Sequence, residues 1–164
     1  MKKNFVIAPI VALLCVTMLA SLAAPATAQL TDTAQPTITR YNTYAKNVCS
    51  YVSVTNPNGI LYPAPDGAWA QFGGSSSNQA KLVAEMTGIV ATGTTIAIYA
   101  KGSGPLSVYV GTSATGPWTQ ATVKSGSTST VSSTNGDWYY FIAPISGQYI
   151  SIATYGVSID CIPS

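Results

Sequence analysis

From residue 45 onward the chain is a succession of short runs in which apolar and polar residues alternate, separated by turn-forming residues at fairly regular spacing. Period-two alternation places successive side chains on opposite faces of a strand, so each run reads as a strand with one buried face. Residues 48–55 (VCSYVSVT) set Val48, Ser50, Val52 and Val54 against Cys49, Tyr51 and Ser53. Residues 56–67 (NPNGILYPAPDG) are crowded with chain breakers and read as a long loop. Strands are then predicted over 69–72, 79–86, 94–100, 106–111, 118–124, 137–142, 148–154 and 157–161, with a Gly/Ser turn at 73–78. Within them Ile96 and Ile98 share a face, as do Leu106, Val108 and Val110. Residues 79–87 (QAKLVAEMT) are the one helix-compatible stretch, and we read them as a strand. The pattern is that of a β-sandwich or barrel; eight or nine strands exceed a usual single sheet and suit two packed ones, so we read an all-β antiparallel sandwich.

The residues before this pattern have a different logic. Lys2 and Lys3 precede an apolar run from Phe5 to Ala24, and Ala26-Thr27-Ala28 fits a small-x-small cleavage site. This predicts a cleavable signal peptide over 1–28, and hence a secreted or cell-surface protein. Residues 29–44 are polar and Thr-rich and read as a lead-in segment or edge strand; the domain proper is 45–164. An uncleaved anchor is the alternative, and Pro25 with the A-x-A site argues against it.

Cleavage after Ala28 would leave 136 of 164 residues, one domain with a real core. It would also remove the net charge. The remaining cations are Arg40, Lys46, Lys81, Lys101 and Lys124, and the acids are Asp32, Asp66, Glu85, Asp137 and Asp160. A neutral chain lacks the basic footprint that nucleic acid demands, and lacks electrostatic attraction to anionic membranes. With only 7% charged residues, little repulsion opposes self-association.

Cys49 and Cys161 stand near the two ends of the domain, in the first and last predicted strands. Two cysteines admit one intramolecular disulfide, and first and last strands of a sandwich often lie side by side. The alternatives are two free thiols and a bridge between chains.

Several segments, in order, resemble the galactose-binding-like or discoidin-like (coagulation factor 5/8 C-type) sandwich domains of secreted prokaryotic surface proteins. They are Asn56-Pro57 with Leu61 and the 64–70 stretch APDGAWA, the 96–100 strand IAIYA, and the 106–118 segment LSVYV followed by SATGPW. Residues 147–152 (GQYISI) and the closing Ile159-Asp160-Cys161 complete the set. The resemblance implies a first-to-last-strand disulfide and a structural calcium near the first long loop and last strand. Gln148 and Ser151 stand where the family carries arginines, so any ligand role of those arginines is not inherited.

Chemistry narrows the function further. The chain has no histidine, which removes the commonest general base and zinc ligand. No G-x-S-x-G elbow is present, and an enzyme would need two of Asp66, Glu85, Asp137 and Asp160 to converge. The chain reads as a non-enzyme with no required cofactor. Asp66 and Asp160 are candidate calcium ligands. The simpler reading gives Asp66 a capping role in its Pro-Asp-Gly turn and Asp160 a backbone bond.

All ten tyrosines and three tryptophans fall outside the signal segment. Aromatic faces bind the apolar faces of sugars. Tyr62, beside the Pro-rich loop, is the expected exposed contact, with Asp66 beside it. The resemblance adds Trp69 and Tyr155 at the same end of the domain. Trp118 and Trp138 are expected in the core. Leu61 is read as a buried loop anchor, which argues against insertion of this loop into a membrane. The sequence thus favours a binding module for a glycan or cell-surface polymer, acting in adhesion. The competing reading is a self-assembling subunit of an extracellular layer, sheath or filament, offering open sheet edges to a neighbour.

Overall fold

Alternation along the chain becomes two antiparallel sheets packed face to face. The computed structural model describes residues 44–162; the expected signal peptide and nearly all of the lead-in segment lie outside them. The strands are β1 (Ala45–Val52), β2 (Val54–Thr55), β3 (Ala70–Phe72), β4 (Gly74–Ser75), β5 (Asn78–Val90), β6 (Thr95–Gly102) and β7 (Gly104–Gly111). They continue as β8 (Trp118–Gln120), β9 (Thr122–Val123), β10 (Thr130–Val131), β11 (Asp137–Ile142), β12 (Gly147–Thr154) and β13 (Val157–Cys161). A 3-10 turn spans Pro57–Leu61. One sheet has seven strands, ordered β1-β5-β12-β7-β10, with β4 on β5 and β8 on β7. The other has six, ordered β2-β3-β13-β6-β11-β9.

The sandwich class agrees with the sequence pattern, but thirteen strands replace the expected eight or nine. Two expected strands each divide between the sheets. Ser53 takes a left-handed φ of 56°, which ends β1 in one sheet and starts β2 in the other. Residues 118–124 divide at Ala121, which is buried and donates its N–H to the Val108 carbonyl at 2.8 Å. Residues 79–87 lie wholly within β5, so the helical alternative does not hold.

In β1 the predicted parity breaks, since a register shift between Val48 and Ser50 turns Val52 to the outer face; in the other long strands the inward faces follow it. Leu82, Ala84 and Met86 of β5, Ile96 and Ile98 of β6, and Leu106, Val108 and Val110 of β7 are fully buried. Ile150 and Ile152 of β12 join Phe141 of β11 and Ile159 of β13 in the same core. Burial of each such aliphatic side chain contributes about 1.5–3 kcal/mol. Among the described residues no helix is long and apolar enough to cross a membrane.

The two sheets are joined by a folded ribbon. β7 pairs with β12 from Gly111↔Tyr149 to Leu106↔Thr154. Around the corner, β6 pairs with β13 from Gly102↔Val157 to Tyr99↔Cys161. Both chains therefore turn from one sheet into the other at the same place, one stacked on the other. Ser103 N–H donates to the Gly156 carbonyl at 3.1 Å, and Gly156 N–H to Phe72 at 3.1 Å. No side chain fits between the bends. A Cβ on Gly104 would sit 2.1 Å from the Tyr155 carbonyl oxygen, and one on Gly102 2.3 Å from that of Gly156.

This corner yields a prediction. Gly104→Ala forces backbone apart and should destabilise the domain by about 3 kcal/mol or more in denaturant titration. Gly93 has a positive φ (84°), but nothing lies within 4 Å of its would-be Cβ, so Gly93→Ala should lose only about 1 kcal/mol. Equal losses for the two would refute the steric role of the corner.

Candidate functional site

The outer face of the seven-stranded sheet is not the flat polar surface that alternation alone would produce. Three cross-strand rows define it. Trp118 of β8 stands beside Gly111, which pairs with Tyr149 and then Glu85. Two residues along, Tyr109 pairs with Ser151, Val83 and Ser50. Two further, Ser107, Ala153, Lys81 and Val52 form the third row. Between them lies an open groove of about 460 Å³, lined by Ser50, Val52, Gln79, Lys81, Val83, Tyr109, Trp118, Ser151 and Ala153.

The groove has a specific construction. Gly111 makes room for the Trp118 indole; a Cβ there would come within 2.7 Å of the ring. The half-buried Tyr109 and Trp118 supply aromatic surface on β7 and β8. On the floor Ser151 is 8% exposed and Ala153 is 5% exposed, although both point away from the core. Ser151 Oγ makes no hydrogen bond to the described residues and faces the open groove, where solvent or a ligand hydroxyl can reach it. Lys81 and Gln79 bring an ammonium and an amide to one end.

The residues singled out from sequence do not form this site, and of them the structure shows only Asp66 and Asp160 in contact. Tyr62 is 55% exposed and follows the 3-10 turn. Asp66 caps its turn: its Oδ1 accepts the Ala68 N–H at 2.8 Å. Asp160, fully buried in β13, clasps that turn, accepting the Asp66 N–H at 3.0 Å on Oδ1 and the Gly67 N–H at 2.8 Å on Oδ2. A cation shared by these carboxylates would compete with backbone donors for both Asp160 oxygens. No group of three or more His, Cys, Asp or Glu with metal-ligand spacing occurs among the described residues. Trp69 lies on the outer face of the six-stranded sheet, in a row with Tyr99 (5.7 Å between centroids) and Trp138 (4.9 Å from Tyr99). Lys101 Nζ sits 4.0 Å from the centroid of the Trp69 ring. Tyr155 belongs to the folded corner, at the end of β13 away from Asp160. Neither Trp118 nor Trp138 is a core residue; both are half-buried on outer faces.

The disulfide expectation needs correction. β1 pairs only with β4's neighbour β5, in the seven-stranded sheet, whereas β13 lies in the other sheet between β3 and β6. Cys49 and Cys161 are accordingly free thiols. Cys49 is exposed, 4.0 Å from Glu85 Oε2, and desolvation with the Glu85 charge raises its pKa. Glu85 itself is engaged by Lys46 at 2.7 Å. Cys161 is fully buried, and burial, followed by the charges of Asp160 and Asp66, pushes its pKa up to about 12.

Sequence reasoning missed the groove because its walls come from strands far apart in the chain. The outward parity of Gln79, Lys81 and Val83, and of Ser151 and Ala153, was legible. The order β5-β12-β7 that lays them side by side was not.

Two measurements follow. In a Cys15→Ser chain, one thiol should react with an alkylating reagent in the native state and two after denaturation without reductant. The native reaction should accelerate with pH through and beyond 9, since only the thiolate attacks and its pKa is raised. Failure of denaturation to release thiols would restore the disulfide. Asp160→Ala should strand two amide donors and destabilise the domain by about 2–4 kcal/mol in chemical denaturation.

No family model, curated protein or solved structure matches this chain.

Proposed function

We propose that the protein is a non-catalytic binding module for an extracellular or cell-surface carbohydrate polymer, held in the groove across the seven-stranded sheet. The observation that carries this reading is the nearly buried hydroxyl of Ser151, without a hydrogen bond to the described residues, on the floor of an aromatic-walled groove. A pyranose offers the matching combination: an apolar ring face for Trp118 or Tyr109, and hydroxyls to donate to and accept from Ser151, Ser50 and Gln79. The order of segments that resembles the discoidin-like family supports the same class and a jelly-roll-like winding, and the apolar run at 5–24 supports export.

A specific feature favours a second reading, self-association. The free edge of β1 is an open strand edge among the described residues, and Tyr51 and Val52 on it are each 55% exposed. Open edges of this kind recruit further strands. Sedimentation of the protein across a hundredfold concentration range separates the readings: growth into large assemblies, abolished by Val52→Lys, would favour the structural role.

For the binding module, the test is affinity for glycans and cell-wall preparations. Trp118→Ala should weaken binding at least tenfold, the worth of about 1.4 kcal/mol, while Tyr62→Ala leaves it unchanged. Ser151→Ala should weaken binding and yet leave thermal stability unchanged or higher, because it removes a hydroxyl that makes no hydrogen bond to the described residues. Loss of stability in Ser151→Ala, or unaltered binding in Trp118→Ala, would count against the groove.

A further inference from the structure

We infer that the groove takes an anionic saccharide along at least two sugar units, with its carboxylate or sulfate on the Lys81 ammonium. The inference rests on reading the groove as a sugar site, and it adds the charge and the length of the ligand.

The charge follows from what each lysine does. Lys46 is paired with Glu85. Lys101 sits over the Trp69 ring. Lys124 donates to Thr95 Oγ1 at 3.2 Å. Lys81 alone among the described lysines has no partner in the protein, and it is the only charged residue lining the groove. No carboxylate lines the groove to neutralise it; the nearest acid along β5, Glu85, lies two rows away and is taken by Lys46. An unneutralised ammonium in a groove with a hydroxyl floor and an aromatic wall matches a saccharide that bears an acidic group.

The length follows from register. The Trp118 row crosses β5 at Glu85, and the Lys81 row lies four residues along the same strand. Four residues of strand span about 13 Å, and Trp118 on β8 stands three strands across the sheet from Lys81 on β5, about 14 Å sideways as well. A ring stacked on Trp118 therefore cannot itself present an acidic group to Lys81. The group must belong to another unit of the same chain, so the site reads an internal stretch of polymer rather than a lone terminal sugar.

The test is calorimetric titration of wild type, Lys81→Gln and Trp118→Ala with uronic acid oligomers of one to six residues. Matched oligomers whose carboxylates are reduced to alcohols, and a sulfated neutral oligomer, complete the set. Uronic acid oligomers of two or more residues should bind at least tenfold more tightly than the monomer. Lys81→Gln should cost about tenfold for the acidic oligomers and nothing for the reduced ones, one charge-assisted contact being at stake. Equal binding of uronate and sulfate ligands would identify a site that reads charge; binding of uronate alone would identify the carboxylate. Reduced oligomers binding as tightly as acidic ones, with Lys81→Gln silent, would overturn the anionic assignment and leave the sugar site standing. A monomer that binds as well as the hexamer would overturn the length. If none of the probes binds, both the inference and the sugar reading fall for these ligands, and Lys81→Gln, a change at an exposed side chain, keeps folding out of the comparison.

Discussion

The stacked bends at Gly102–Gly104 and Gly156 govern the rest of this structure. At that corner the β6–β7 chain and the β12–β13 chain pass together from one sheet to the other. The same two chains supply central strands to both layers: β12 and β7 to the seven-stranded sheet, β13 and β6 to the six-stranded one. The bend thus sets the relative placement of the layers and, with it, the rows of outward side chains. The contact is backbone on backbone, with carbonyl oxygens where a methyl group would have to stand. A constraint of that kind is stiff, since interiors at this density deform little.

Both outer faces depart from a simple sandwich, in which inward apolar residues alternate with outward polar ones. Each face carries aromatic residues, but their settings differ. On the six-stranded sheet Tyr99 contacts both Trp69 and Trp138 and Lys101 covers the Trp69 ring, so the aromatic surface is largely engaged within the protein. On the other sheet Trp118 rests on a glycine and looks across a floor with a hydroxyl that no described residue bonds. The distinction rests on satisfaction, not on aromatic content, and it is why the groove and not the aromatic row carries the functional reading.

Much of the architecture was legible because period-two patterning is strong where one face is buried. Asp137–Ile142 and Val157–Cys161 fall where the sequence placed them. The breaks at Ser53 and Ala121 were not legible, since neither residue type signals a change of sheet. Sequence reasoning paired Asp66 and Asp160 as cation ligands, and the contact between them is made by the Asp66 and Gly67 amides donating to the Asp160 carboxylate. The cysteines failed for a topological reason: nearness to the two ends of a domain says nothing about which layer each end occupies. Trp118 was placed in the core on its size, and the vacancy that seats it outside, at Gly111, is visible only once the strands are paired.

The alternation of long strands between layers has a consequence for how the chain acquires its structure. None of the long strands β6, β7, β11, β12 and β13 pairs with the long strand before or after it, and β5 pairs with β1 but not with β6. Local hairpins among them are absent, so ordering waits on contacts between distant segments, and loop closure must precede any gain from burial. The seven-stranded sheet needs β12 between β5 and β7, and the six-stranded sheet needs β13 between β3 and β6. Neither layer closes until the last strands have emerged. A chain built this way assembles both layers late, when β12 and β13 join strands that precede them by tens of residues.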